Sequence, residues 1–341
     1  MADNKPNIFD PFEKEKLLRQ ESESWNTTNL FDAQEGDIPI LNLSTYFSTK
    51  SNNALKHLAA ELNKACEEVG FFSIIGHGID QHLIEEMFSM VKMFHQLDMD
   101  IKHSIIMDRP EWPHAGMGYL PFKNTKLPAR SMGNLNEAFI IKKDRHIKHQ
   151  DNQWLSEETI PGFRQVVEQY AAKIEQLALD LLPIYACALD LDKSFFREAF
   201  TSPMYRLRMT HYPPIKNSSD SEFGIAPHVD TTFITILAQD SPGLTIFSER
   251  RQCWIKAPLI KNGFIVNSGE LLKQWTNDRF LSVKHFANNN CSKESRYSIP
   301  FFFNTNSDFI MECIPTCCNE DNPSKYPPIS YAQSQAVAQG E

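Results

Sequence analysis

The chain has 341 residues, of which 41% are hydrophobic, and its formal net charge is −9. This length and apolar fraction predict a globular protein with a substantial core, built as one large domain or two modest ones. The acidic balance argues against the phosphate backbone of a nucleic acid as a partner.

Two further features of the sequence indicate the cellular compartment in which the protein is expected. The seven cysteines are an odd number without a CxxC pair, which favours reduced thiols in a cytoplasmic protein over a disulfide framework. The stretch MADNKPNIFDPFEKEKLLRQ lacks the apolar segment of a secretion signal, and no uninterrupted apolar run is long enough to cross a bilayer. We therefore expect a cytoplasmic location and no membrane association, and nothing in the sequence indicates an obligate protein partner.

The first part of the chain alternates predicted strands and helices. Residues 1–36 are polar and aperiodic, so we expect an ordered unit to begin near Asp37. The stretch DIPILNLS predicts a short strand, and the apolar spacing between residues 53 and 69 predicts a helix. The run GFFSIIGHGI predicts a second strand, and a second helix is expected from about residue 81 to residue 97.

A loop-rich stretch and a long helix are predicted next. Pro and Gly residues punctuate the sequence between Arg109 and Arg130. The helix is predicted by apolar residues at spacings of three or four, which are Val167, Tyr170, Ile174, Leu177, Leu181 and Tyr185. Pro183 is expected to kink this helix without ending its apolar stripe.

From Met204 onward the sequence predicts a mainly β structure. The candidate strands are short and separated by turn residues: YRLRMTHY, TFITILA, GLTIFS, CWIKAP, FIVNSG, LSVKHFA and YSIPFFFN. Many short strands with Gly and Pro turns are typical of an antiparallel sandwich or barrel.

His228 and Asp230 stand two residues apart in the segment APHVDTTF. Residues at this spacing on a strand project to the same face, so both side chains can bind one ion. The same pair is also common as a turn cap, in which Asp230 accepts hydrogen bonds from backbone amides near Thr231 and Thr232. His285 lies at the end of another predicted strand, and it supplies a third ligand if the two strands lie opposite each other.

The ligand types favour iron over zinc. Two imidazoles and one carboxylate on one face of a metal leave three positions open, which suits non-haem Fe(II) that must also bind a cosubstrate and O2. Zinc in a hydrolase could use the same ligands, but it would then need a general base, and no acidic residue adjoins the motif to serve as one.

Arg296 and Ser298 are two apart on the predicted strand RYSIPFFF and reach one side of a pocket. A guanidinium and a hydroxyl can together hold a carboxylate. The alternative is an exposed Arg in an edge strand. The apolar residues that alternate with them favour a buried Arg, which requires an anionic partner.

The strand YRLRMTHY is predicted to have one polar face, which either faces water or lines a wet pocket. That face carries Arg206, Arg208, Thr210 and Tyr212.

With these residues assembled, the chain resembles the isopenicillin-N-synthase-like family of Fe(II)/2-oxoglutarate dioxygenases, which includes plant-type small-molecule hydroxylases and desaturases. The resemblance rests on blocks in the family's order: IPILNLS, ACEEVGFFSIIGHGI, GMGYLP, NEAFII, THYPP, HVDTTFITILAQDSPGLTIF, WIKAP, FIVNSGELLKQWTNDRFLSVKHF, RYSIPFFFNTNSDFIMECIP and YPPISYAQ. It implies a mainly β fold with flanking helices, namely a double-stranded β-helix (a cupin-like jelly roll) braced by the long helix.

The resemblance also implies the roles of individual residues. The iron ligands would be His228, Asp230 and His285, while Arg296, Ser298 and Tyr212 would bind the cosubstrate 2-oxoglutarate. O2 is the other reactant that the family uses.

Three positions depart from the family's pattern. Phe286 stands where Arg is usual, Thr210 stands where Asn is frequent, and Asn42 replaces an Asp of the first strand. The chain stops ten residues after Tyr331, so we expect the cover of the substrate pocket to differ from that of relatives with a C-terminal helix.

The implied organisation has five parts. Residues 1–36 form an extension, 37–155 an N-terminal dioxygenase region, 156–200 the bracing helices, 201–310 the catalytic jelly-roll core and 311–341 a C-terminal segment.

The predicted function is the oxidation of a small-molecule metabolite by hydroxylation, desaturation or oxidative cyclisation, with decarboxylation of 2-oxoglutarate to succinate and CO2. Substrate choice is expected to reside between Trp112 and Asn136 and on the strand from Tyr205 to Tyr212, with Arg208 for an anionic group and Thr210 beside it. One alternative is an oxidase of the isopenicillin N synthase type, which uses no 2-oxoglutarate. Another is a non-catalytic binding protein on the same scaffold.

Overall fold

The computed structural model describes residue 27 and residues 29–107, 116–124, 133–143, 152–216 and 222–334. Parts of the predicted substrate loop, residues 112–115 and 125–132, lie outside the described residues, as does most of the expected N-terminal extension. Within the described ranges, no helix is long and apolar enough to cross a membrane.

Short strands predominate, as the turn-rich sequence predicts. In the described part of the chain they are β1 (Leu30–Asp32), β2 (Ile40–Asn42), β3 (Phe71–Ile75), β4 (Gly118–Leu120), β5 (Glu137–Lys143), β6 (Met204–Tyr212), β7 (Ile225–His228), β8 (Ile234–Gln239), β9 (Leu244–Ser248), β10 (Cys253–Lys256), β11 (Phe264–Ser268), β12 (His285–Ala287), β13 (Arg296–Asn304), β14 (Ile310–Met311) and β15 (Ile329–Ser330).

Helices account for most of the remaining regular structure. They are α1 (Ser44–Thr49), α2 (Asn52–Glu68), α3 (Gln81–His95), α4 (Met99–His103), α5 (Phe163–Ala188) and α6 (Glu270–Trp275), with 3₁₀ turns at Phe195–Phe200 and Pro315–Cys317. The apolar spacing therefore predicted α2, α3 and α5 to within a few residues. Pro183 lies inside α5, and the helix continues past it to Ala188.

Two main sheets carry the architecture. The larger has the order β2-β3-β11-β8-β13-β6-β5-β4, and the smaller has the order β1-β10-β9-β12-β7. The pairings are antiparallel except for β1 with β10 and β2 with β3, which are parallel. β1 extends the smaller sheet with residues that precede Asp37, where the sequence suggested that order begins. Apolar residues from both sheets pack into one cluster that includes Phe71 and Ile265 of the larger sheet and Ile246 and Ile255 of the smaller.

The outer face of the larger sheet is covered by α5. The apolar stripe of this helix is buried, and it belongs to the same core cluster as Leu207 on β6 and Ile299 on β13. Helices α2 and α3 pack on α5 in turn. Burying this stripe stabilises the helix, since most helical stability in proteins comes from the packing of an apolar face. The long helix thus braces the sheet, as predicted.

The alternation of β6 and β13 leaves polar side chains on the opposite, inner face of the larger sheet. Arg296 pairs with Tyr212 and Ser298 pairs with Thr210 in the register of these two strands. In the smaller sheet, His285 on β12 pairs with His228 on β7. The candidate site is therefore assembled from both sheets.

Candidate metal centre and cosubstrate pocket

Three side chains from two strands and a loop converge on one point. His228 is the last residue of β7 and His285 is the first residue of β12, while Asp230 lies in the loop that follows β7. Their ligand atoms all lie within 4.8 Å of one another. The Oδ1 atom of Asp230 is 3.5 Å from His228 Nε2 and 3.6 Å from His285 Nε2.

Backbone carbonyls orient both imidazoles. His228 Nδ1 donates a hydrogen bond to the carbonyl of Ala226 at 2.8 Å, and His285 Nδ1 donates to that of Val283 at 3.0 Å. Because a carbonyl only accepts, each Nδ1 carries a proton, and each ring in its neutral form presents the lone pair of Nε2 to the centre. This is the tautomer that metal binding through Nε2 requires.

Asp230 is buried, and its hydrogen bonds differ from those of a turn cap. Its Oδ2 accepts from the hydroxyl of Thr235 at 2.7 Å and from the amide of Asn267 at 2.9 Å, rather than from the backbone of the next residues. The sequence placed Asp230 on a strand with His228. The structure corrects this, because β7 ends at His228 and the loop brings the carboxylate back between the rings.

The electrostatics of the cluster suit a cation. Burial raises the pKa of Asp230, but the imidazoles of His285 and His228 outweigh it and hold that pKa well below its usual range. Burial, with the neighbouring ring of His285, lowers the pKa of His228, so this imidazole is favoured in its neutral form. Burial also disfavours the charged form of His285, but Asp230 outweighs this and raises its pKa. Within the described ranges, no Lys or Arg lies within salt-bridge distance of Asp230, so a bound metal ion fits as the missing counter-charge.

A second polar cluster lies on the inner face of β6 and β13. The Arg296 guanidinium lies 4.6 Å from the centre of the Tyr212 ring, and the hydroxyls of Tyr212 and Ser298 are 3.4 Å apart. Arg296 donates to the carbonyl of Ser241 at 3.2 Å and to Gln239 Oε1 at 3.0 Å. Both bonds hold the guanidinium in place but neutralise none of its charge.

Among the described residues, the charge of Arg296 has no carboxylate as a counter-ion. The residue is 5% exposed, its Nη1 has no hydrogen-bond partner, and no described carboxylate lies within salt-bridge distance. A buried cation with an unused donor requires an anion, and a carboxylate matches the fork of the guanidinium.

The polar face of β6 is buried at Arg208, Thr210 and Tyr212, so this part of it does not face water. Arg208 is 4% exposed and donates from Nη2 to the side-chain oxygen of Asn136 at 3.0 Å. Its Nε and the hydroxyl of Thr210 have no hydrogen-bond partner within the described ranges. Burial lowers the pKa of Arg208 to about 10. Both residues thus present unused donors to the same interior as Tyr212, and Arg206 is only half-buried.

The sequence did not identify the side chains that hydrogen-bond to Asp230, Arg296 and Arg208. These side chains are Thr235, Asn267, Gln239 and Asn136. A signal was present for Asn267, because it is a polar residue inside the otherwise apolar strand FIVNS. Identifying its partner required the register, which places Asn267 directly opposite Thr235.

Another group of metal-ligating residue types lies on the outer face of the larger sheet. It consists of His95, Glu137 and His211. The ammonium of Lys102 lies 3.0 Å from Glu137 Oε2 and already supplies a cation there, so this group is an ion cluster of the core.

Phe286, which stands where the resembled family usually has Arg, packs away from the converging ligands. Its ring lies 5.0 Å from that of Trp254 and 5.2 Å from that of Phe223, measured between centroids. This departure fills an aromatic cluster rather than altering the ligand set.

Two family models match the chain in tandem. The model described as the 2OG-Fe(II) oxygenase superfamily matches residues 203–305. The model described as the non-haem dioxygenase in morphine synthesis N-terminal matches residues 38–157.

Curated relatives match most of the chain. The 2-oxoglutarate-Fe(II) type oxidoreductase hxnY of Emericella nidulans is 31% identical over 86% of this chain and 86% of its own length. Kihadalactone A synthase LFS of Citrus sinensis is 32% identical over 86% of this chain and 90% of its own length.

A solved structure confirms the predicted fold. The crystal structure of a full-length Neurospora crassa protein in complex with alpha-KG superposes with a TM-score of 0.79, at 23% identity over 90% of this chain and 97% of that one. The chain belongs to the 2OG-Fe(II) oxygenase superfamily, and it is an oxidoreductase that depends on Fe(II), 2-oxoglutarate and O2.

Proposed function

We propose that this enzyme oxidises a small-molecule metabolite at an iron held by His228, Asp230 and His285. The observation that carries the proposal is the convergence of the three ligand atoms within 4.8 Å, from two imidazoles and one carboxylate. This donor set leaves three coordination positions open, which matches non-haem Fe(II).

The cosubstrate pocket is proposed at Arg296, Ser298 and Tyr212. The guanidinium would pair with the carboxylate of 2-oxoglutarate that lies remote from the metal, and the two hydroxyls would donate hydrogen bonds to it. Bound iron supplies activation of O2, coupled to decarboxylation of 2-oxoglutarate to succinate and CO2. The protein's own contribution is to orient the ligands through the carbonyls of Ala226 and Val283 and to exclude water.

The substrate is proposed to contact Arg208 and Thr210. Both lie on the inner face of β6, both are buried, and both keep a donor without a partner within the described ranges. A substrate with an anionic or strongly accepting group would satisfy these donors. Hydroxylation, desaturation and ring closure are all compatible with this arrangement.

We expect Arg208→Met to raise KM for the true substrate and to leave the affinity for 2-oxoglutarate nearly unchanged. The reason is that Arg208 would lose its contact with substrate while Arg296 stays in place. Steady-state kinetics with each compound varied in turn measures the two effects. Arg164→Met, a change at an exposed residue of α5, serves as the control. Equal losses for substrate and 2-oxoglutarate would remove Arg208 from substrate recognition.

The five parts of the chain are proposed to have the roles that the sequence suggested. Residues 201–310 would form the catalytic core, 37–155 and 156–200 would support it, and 1–36 and 311–341 would flank it. We infer a cytoplasmic location and an enzyme that acts without an obligate partner. The seven cysteines, none of which forms a disulfide within the described ranges, support the location, because thiols stay reduced in the cytoplasm.

O2 consumption tests the proposed function directly. We expect uptake to require both Fe(II) and 2-oxoglutarate, and we expect succinate release to rise when the true substrate is present. Screening candidate metabolites by succinate release then identifies the substrate. O2 uptake that does not depend on 2-oxoglutarate would instead favour an oxidase in which Arg296 binds a substrate carboxylate.

A further inference from the structure

The two oxygens of Asp230 lie in different surroundings. Oδ1 faces the Nε2 atoms of His228 and His285 at 3.5 and 3.6 Å. Oδ2 receives two hydrogen bonds, from the Thr235 hydroxyl at 2.7 Å and the Asn267 amide at 2.9 Å. One oxygen is thus free for a metal, and the other is committed to the protein.

The two donors stand on a rigid support. Thr235 on β8 and Asn267 on β11 are direct partners in the register of the larger sheet, and both are buried. The Thr232 hydroxyl lies 3.1 Å from that of Thr235, and since Thr235 donates its own proton to Asp230, Thr232 must donate to Thr235. Asp230 itself lies in a loop of the smaller sheet. These bonds therefore fix a loop residue against the centre of the opposite sheet.

The number of oxygens that Asp230 gives to the metal determines how many positions stay open. A carboxylate bound through both oxygens occupies one position more than a carboxylate bound through one. Two imidazoles and one oxygen leave three positions in an octahedral ion, enough for a keto acid that takes two and O2 that takes one. Two oxygens from Asp230 would leave one position too few.

We infer that Thr235 and Asn267 are positioning residues that keep Asp230 a one-oxygen ligand of the iron. The inference rests on the proposed function, since it requires iron at His228, Asp230 and His285. Neither residue touches substrate or metal. Their action is to occupy Oδ2 with two neutral donors and so to preserve the third open position.

The test uses Thr235→Val and Asn267→Leu, which are similar in size to the originals and remove one donor each. Each lost donor also leaves the Asp230 carboxylate less firmly oriented, so we expect each variant to bind Fe(II) about 10- to 100-fold more weakly, the range seen when partners of metal ligands are removed. At saturating Fe(II) under anaerobic conditions, each should also need more 2-oxoglutarate to develop the metal-to-ligand absorption band. Thr235→Ser keeps the hydroxyl and should restore both properties.

A buried threonine of the smaller sheet provides the matched control. Thr245 accepts a hydrogen bond from Asn288 at 2.9 Å and is fully buried, but it does not contact Asp230. Thr245→Val should lower the melting temperature of the metal-free protein by an amount similar to that of Thr235→Val. It should leave the affinities for Fe(II) and 2-oxoglutarate at the wild-type values.

Several outcomes would overturn the inference. Thr235→Val and Asn267→Leu with wild-type affinities would do so, as would an equal loss of affinity in Thr245→Val. A crystal structure of the Fe(II)-loaded wild type decides the matter even if a variant fails to fold, because both oxygens of Asp230 at bonding distance from iron would contradict it. Wild-type protein that binds no Fe(II) would overturn the proposed function itself, whereas unchanged variants overturn only this inference.

Discussion

Asp230 and Arg296 are buried with opposite charges, and neither has a full counter-charge among the residues that the structure describes. Within the described ranges, Asp230 lies against two imidazoles, a hydroxyl and an amide N–H, and Arg296 lies against a carbonyl, an amide oxygen and an aromatic ring. Burying a charge costs several kcal/mol unless it is paired, so both residues point to ligands from outside the chain. A metal cation satisfies the first and a carboxylate satisfies the second.

Asp230→Ala should abolish turnover and weaken Fe(II) binding, because the two imidazoles remain without the anionic ligand that offsets the charge of the metal. Anaerobic Fe(II) titration and the O2 electrode measure the two effects. Asp32→Ala, at a side chain that is 89% exposed, should change neither. Full activity of Asp230→Ala with unchanged iron content would remove Asp230 from the ligand set.

Arg296→Lys should weaken 2-oxoglutarate binding by roughly 1.5–3 kcal/mol, on the order of one charged hydrogen bond. Lysine keeps the charge but loses the planar fork that matches a carboxylate. Fe(II) binding should persist, since Arg296 contacts none of the ligands. Arg250→Lys, at a side chain that is 54% exposed, is the control. An affinity within twofold of wild type would place the carboxylate elsewhere.

At the scale of the elements, local sequence patterns predicted where strands and helices occur better than they predicted which elements pair or pack together. The apolar stripe of α5 and the alternation of β6 and β13 are local signals, and the structure confirms them. The parallel pairing of β1 with β10 joins residues more than 200 positions apart, so no local pattern marks it. Alternation also defined the two faces of β6 but left open which face was buried, because that depends on the helices packed outside.

The ion cluster around Glu137 is a second case in which local sequence patterns did not reveal the partners of a residue. Glu137 on β5 accepts hydrogen bonds from Lys102 at 3.0 Å, His211 at 2.8 Å and Tyr119 at 2.5 Å. Burial raises the pKa of Glu137, but the hydrogen bonds from His211 and its other neighbours outweigh it and hold the pKa well below 4.5, its ordinary value. These partners come from separate elements, so the sequence alone did not reveal the cluster.

Glu137→Gln should destabilise the metal-free protein by about 3–5 kcal/mol at pH 7, because it leaves Lys102 buried without its carboxylate. The pKa of Glu137 is lower in the folded state, so its contribution is present above pH 4.5 and is lost as the pH falls below that value. Urea denaturation at pH 7 and at pH 3 should therefore show a smaller difference at the lower pH. Glu168→Gln, at an exposed ion pair, should cost less than about 1 kcal/mol. A difference that grows on acidification would contradict this account.

At the scale of the whole molecule, the site joins the two sheets. The smaller sheet and its loop supply His228, His285 and Asp230, and the larger sheet supplies Arg296 and Ser298. The sequence could predict these residue types and spacings, and the family resemblance named the set. The hydrogen bonds that orient them depend on how the sheets face each other, which only the folded chain provides.

Ligands that bind across the two sheets should stabilise the folded protein. Fe(II) and 2-oxoglutarate at about 100 times their dissociation constants would each add about 2.7 kcal/mol, because both bind only the native state. We expect 2-oxoglutarate to raise the melting temperature strongly only when the metal is present, since its keto acid would then bind the iron as well. An equal rise with and without metal would indicate that Arg296 alone holds the molecule.

The most direct test of the central claim is a titration of the anaerobic Fe(II) protein with 2-oxoglutarate, followed by the metal-to-ligand absorption band. We expect a saturable band in the wild type, a band that requires more 2-oxoglutarate in Arg296→Lys, and no band in Asp230→Ala. The claim would be contradicted if the Fe(II)-loaded wild type developed no band and its O2 uptake did not depend on 2-oxoglutarate.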